Sequence, residues 1–189
     1  MSKPFSIPIA RNIAEYALIV ALWGTLLWGV SENWLSEGWM SLAIVVLCWI
    51  KTGFFGAENM NQLFQAAQFN VPHHHFLLLM GINMSQMIMS FAFDFHLLYS
   101  LNKSSFLGVT KDVDQWEALF DFFYLSTLNF SFFGYSDILP QTVAAKTVNL
   151  TEIVLAFVTV IFLLSDFISL KDSLRNPPPN IPSSEQSQS

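Results

Sequence analysis

The chain has 189 residues, 53% of them hydrophobic and only 12% charged, whereas a soluble domain carries about 25% charged residues. So few polar groups cannot cover a water-facing surface, which excludes an ordinary soluble domain. Eight Lys plus Arg against fourteen Asp plus Glu give a formal charge of -6 with no basic block, so nucleic acid is not an expected partner. Cys48 is the single cysteine and cannot form an intrachain disulfide; in its apolar run it reads as a small buried side chain.

A bilayer core about 30 Å thick needs roughly 20 mostly apolar residues in a helix. Residues 1–12 read as a cytoplasmic N-terminus, followed by two peripheral spans within 13–56. The first, Ile13 to Val30, carries Trp23 and Trp28 toward its end, where amphipathic rings favour the interface. Small residues of the Ala-x-Ala kind do not follow it, so it reads as a retained helix and not a cleaved signal peptide. The second runs from about Gly38 to Gly56 and contains Lys51, expected to snorkel toward the headgroups.

Residues 57–75 are polar with spaced Leu63, Phe64 and Phe69, the pattern of a cytoplasmic loop or short interfacial helix. They end in His73, His74 and His75. Consecutive residues point in different directions, so the three histidines are not expected to ligate one metal; a solvated entry to the next span is the favoured reading, ahead of pH sensing. A third span covers 76–101, with Asp94 and His96 toward its outer end on different faces. A fourth covers 148–170. The tail, 171–189, holds a Pro run with Ser and Gln and reads as disordered.

Four spans place both termini on one side of a cell membrane. Lys3, Arg11, Lys51, Lys171 and Arg175 fall on that side, against Lys103, Lys111 and Lys146 on the other, so the positive-inside rule makes the termini cytoplasmic. Glu32, Glu37, Asp112, Asp114, Glu117, Asp121 and Asp137 then face outward and attract cations.

Between the last two spans, Val113 to Phe133 is an apolar, aromatic stretch opened by acids, with Asp112 or Asp114 able to cap a helix and Glu117 in its first turn. A helix over 114–130 is too short to cross and too apolar for water, so it is expected to enter the membrane and return. Irregular backbone at that depth must be buried in protein or line a water-filled cavity.

Phe123 to Pro140 (FYLSTLNFSFFGYSDILP), followed by Gln141 to Leu170, resembles the pore loop and inner helix of tetrameric potassium channels. With the preceding span, the resemblance covers about residues 76–170. That family's loop, approximately Thr-Leu-Thr-Thr-Val-Gly-Tyr-Gly-Asp-Ile-x-Pro, lies without gaps on Asn129 to Pro140. The resemblance implies an all-α membrane protein with four transmembrane helices, a re-entrant pore helix and a filter loop per subunit, assembled as a four-fold homotetramer in lipid. It implies a non-enzymatic cation channel needing no cofactor, with potassium or another monovalent cation as the permeant ion.

The implied filter is Phe132, Phe133, Gly134, Tyr135, Ser136 and Asp137. Stacked carbonyl rings replace the hydration shell of the ion, and glycine best tolerates the alternating backbone this requires. Phe132 and Phe133 stand where the family has threonine and valine, and Ser136 stands for its second glycine, so altered selectivity is expected. Ser136 would have to adopt a left-handed conformation at a cost of about 1–2 kcal/mol. Tyr135 would anchor the filter to the pore helix, while Asp137 would brace it or attract cations at the mouth.

On the inner helix, Glu152, Ala156, Thr159, Leu163 and Asp166 recur at helical spacing. Ala156, Thr159, Leu163 and Asp166 are the expected pore lining, with Phe162 as a candidate gate. Asp166 would concentrate cations at the inner mouth or, equally, pair with Lys171 or Arg175. Glu152 lies nearer the outer leaflet, where an ionisable residue marks a functional or packing site. The alternatives are a non-conducting scaffold or partner subunit, and a membrane metalloenzyme using His73–His75 with Asp94, His96 or Glu58.

Overall fold

The computed structural model describes residues 9–69, 73–109, 114–132 and 136–175, with side chains described except at 9–10, 59–60, 62–69, 73–76 and 165–175. Five α-helices make up nearly all of it: α1 (Ile9–Ser31), α2 (Glu37–Phe69), α3 (His73–Leu101), α4 (Gln115–Ser131) and α5 (Val143–Arg175). Two short strands, β1 (Phe106–Leu107) and β2 (Leu139–Pro140), pair antiparallel. Helices α1, α2, α3 and α5 are each long and apolar enough to cross a membrane. The chain is an all-α, multi-pass membrane protein.

Helix ends follow local chemistry. α1 closes with Asn33 in the left-handed region (φ 53°), the Trp34 N–H bonding the Gly29 carbonyl at 3.1 Å and Asn33 N–H the Val30 carbonyl at 3.2 Å. Asn tolerates that conformation better than most residues. α4 opens on Asp114, whose carboxylate accepts from the Gln115 N–H at 2.8 Å, with Glu117 in the first turn. α2 does not stop near Gly56: it continues to Phe69, because no proline interrupts it before Pro72 and Glu58 is held by Arg11 of α1 at 2.6 Å. α3 takes in His73–His75 as its first turn. α5 extends beyond 148–170 in both directions, so residues 171–175 of the expected tail are helical, while 176–189 lie outside the described residues.

Contacts between helices give their directions. α1 runs parallel to α3, with Tyr16 at Ile82 and Ser85 and Trp23 stacked on Phe93 at 4.6 Å. α2 runs against α3, from Glu37 beside Asn102 to Lys51 beside Asp94. α4 and α5 also run against α3: Phe122 meets Phe106 (4.8 Å) and Tyr99 (5.5 Å), Ser126 reaches Ile88, and Thr159 lies by Met87.

α3 is therefore the central helix, wholly buried from Ser90 to Leu98. A helix covered on all sides lacks a polar face, and its buried polar residues instead meet neighbours: Gln86 donates to Glu15 at 3.1 Å, and Asp94 receives Lys51. The outer surface exposes large apolar side chains such as Leu18, Trp49, Ile50, Val154 and Phe157, suited to lipid or to other apolar chains.

Candidate functional site

Helix α4 places the site. Its first turn lies beside α1, where Trp116 approaches Trp23 at 6.5 Å; its Phe122 meets Tyr99 near the end of α3, and it passes between α3 and α5. At Ser126 it is level with Ile88, 13 residues before the end of α3, or about 20 Å along the axis. It ends at Phe132, whose ring meets that of Phe157, 6.4 Å away and at right angles. The chain is back beside the end of α3 at β2, where Phe106 pairs with Pro140, Leu107 pairs with Leu139 and Gln141 N–H bonds the Ser105 carbonyl at 2.8 Å. The resembling motif lies in this return.

Of its residues, Phe133, Gly134 and Tyr135 lie outside the described residues. Phe132 is 46% exposed and takes the left-handed conformation (φ 56°, ψ 18°), its N–H bonding the Asn129 carbonyl at 3.3 Å as the cap of α4. Left-handed backbone was expected at Ser136. Its hydroxyl accepts from the Ile138 N–H at 3.1 Å. Phe132 is a left-handed position of its own, one that closes α4 where the chain turns back. Asp137 is exposed, with its carbonyl pressed onto Gly108 (φ 93°), where an added Cβ would lie 1.9 Å from it.

The expected pore-lining face of α5 is turned differently. Glu152, Ala156 and Thr159 are fully buried within the chain, on the same stripe as Ala145, Val148 and Leu155. For Ala156 and Thr159 the pore-lining expectation is therefore corrected: packing on α3 and α4 claims that stripe. The exposed stripe is Leu150, Ile153, Val154, Phe157, Ile161 and Leu164. Leu163 and Phe162 are partly buried between the two, and the Asp166 side chain lies outside the described residues.

Besides the Gln86–Glu15 contact, two polar groupings among the described residues join the spans around α3. In the first, the Glu152 carboxyl meets the Ser126 hydroxyl through Oε1 and accepts from Asn129 Nδ2 through Oε2 at 2.5 Å; the same Nδ2 donates to Asn149 Oδ1 at 2.9 Å. Ser126 also lies 3.0 Å from the Ile88 carbonyl, so α3, α4 and α5 are joined at one point. In the second, Lys51 Nζ contacts both Asp94 oxygens at 2.6 and 2.8 Å. Lys51 thus turns inward instead of snorkelling, because Asp94, 2% exposed, supplies the counter-charge. Asp94 is correspondingly interior and not interfacial. Opposite charges in two apolar runs were the sequence signal for this pair; Ser126 and Asn129 carried none.

Among the described residues, the polar side chains invoked for a metal site are not gathered together. Asp94 is held by Lys51, Glu58 by Arg11, and the His96 ring is enclosed by Trp23 (5.7 Å) and Phe122 (6.4 Å). The side chains of His73–His75 lie outside the described residues. Comparison of the chain with protein-family models, curated proteins and solved structures returns no match.

Proposed function

We propose that this chain is one subunit of a four-fold symmetric cation channel, with α3 as outer helix, α4 as re-entrant pore helix, residues 132–137 as filter and α5 as inner helix. The observation that carries the reading is the path of α4: a 17-residue helix packed between two spanning helices, after which the chain regains its starting end at β2. Such a path supports reading residues 132–137 as a filter, whose carbonyls would replace water around an ion. Oriented by the positive-inside rule, the β1–β2 end faces outward and both termini face the cytoplasm.

The pore would then be lined by the exposed stripe of α5 around Phe157 and Ile161, below Phe132. Four Phe132–Phe157 pairs about the axis would make the entry from below apolar, a constriction that opens by wetting. Potassium or another monovalent cation is the permeant ion, with selectivity weakened by Phe132, Phe133 and Ser136. The same aromatic pairs favour a second reading, a non-conducting partner subunit. Flux from liposomes under potassium and then sodium gradients decides between them. Conduction supports the channel; silence from a folded tetramer supports the partner subunit.

A further inference from the structure

We propose that Glu152 is a protonated hydrogen-bond donor that positions α4 against α3 and α5. Ser126 Oγ lies within reach of two oxygens, the Ile88 carbonyl at 3.0 Å and Glu152 Oε1. A hydroxyl has one hydrogen to give, and a carbonyl can only accept. With Ser126 donating to Ile88, the contact with Oε1 is a hydrogen bond only when the carboxyl carries its own proton and donates it to Oγ.

The rest of the cluster agrees. Asn129 Nδ2 has two hydrogens and two acceptors, Asn149 Oδ1 at 2.9 Å and Glu152 Oε2 at 2.5 Å. Oε2 thereby serves as the carbonyl oxygen of a carboxylic acid. Every hydrogen is used once: Asn129 to Asn149 and to Glu152, Glu152 to Ser126, Ser126 to Ile88. An ionised Glu152 would instead be a charge, fully buried at spanning depth, facing only neutral donors among the described residues, since Lys51 is taken by Asp94. That is an expensive arrangement. A carboxyl held neutral so that it can donate is an established device of apolar sites.

The geometry makes Glu152 a positioning residue for α4. Its hydrogen bond fixes how deep Ser126 sits, and Phe132, where the return begins, lies six residues further on. This positioning role rests on the channel reading; the protonation does not.

The test is infrared spectroscopy of the full chain in nanodiscs at neutral pH, with glutamate labelled by carbon-13 at the side-chain carboxyl. The expected result is a protonated-carboxyl carbonyl band that shifts with the label, disappears in Glu152→Gln and is displaced in Ser126→Ala. Absence of the band, or its persistence in Glu152→Gln, overturns the proposal. Should Glu152→Gln fold poorly, Ser126→Ala in labelled protein decides: a displaced band supports the assignment and an unmoved one overturns it. In the flux assay, Gln keeps both contacts and should hold flux near wild type, whereas Glu152→Ala should lose about tenfold, as expected when buried partners are orphaned. Equal flux in the two variants, or equal loss, overturns the positioning role. A wild-type protein that passes no ions overturns the channel reading and leaves the infrared result to decide the protonation.

Discussion

Phe132 carries a conformational cost, since a bulky residue at φ 56° crowds its own carbonyl by about 1–2 kcal/mol. Phe132→Gly and Phe132→Ala both remove the ring contact with Phe157, but only glycine also relieves the backbone. Thermal unfolding in detergent should find the Gly variant more stable than the Ala variant by about 1 kcal/mol; equal stabilities would place the left-handed cap elsewhere. Gly108 is the opposite case, a residue that its surroundings forbid to change. A methyl group there would enter the Asp137 carbonyl, so Gly108→Ala should separate β2 from β1 and cost upwards of about 2 kcal/mol. None of this was legible in advance: Gly108 is one of eight glycines, and only the arrival of Asp137 from 29 positions downstream singles it out.

The elements were read more fully than their contacts. Asp114 and Glu117 announce α4, and the observed helix, Gln115–Ser131, differs by one residue at each end from 114–130. Its docking rests on Phe122, fully buried between the rings of Phe95 and Phe106, and Phe122→Ala should cost about 3–5 kcal/mol in unfolding measurements. For 57–75 the sequence left a loop and a short interfacial helix open; the structure instead runs α2 on as one helix to Phe69, with Glu58 held by Arg11 on α1. The α2–α3 pair offers a sharper test. Lys51→Met alone strands the Asp94 charge and should destabilise by about 3–5 kcal/mol, whereas Lys51→Met with Asp94→Leu should recover most of that loss. A double variant no better than the single would mean that the two charges do not meet.

At the scale of the molecule, orientation and selectivity follow from the proposed reading. In a Cys48→Ala background, Ser36→Cys in the exposed α1–α2 turn should react with an impermeant maleimide on intact cells. Asn61→Cys, exposed on the opposite end of α2, should react only after permeabilisation; the reverse pattern would invert the topology. If the filter register is right, Phe132→Thr, Phe133→Val and Ser136→Gly together should raise potassium over sodium flux. Composition and run length by themselves determined that the chain is a helical membrane protein with four spans, since a bilayer admits few other ways to satisfy the backbone. Only the tertiary structure decided which side of α5 faces inward, that Lys51 answers Asp94, and that Glu152 meets Ser126 and Asn129. A helix nearly apolar all round does not announce which face it buries; its partners across the bundle choose that.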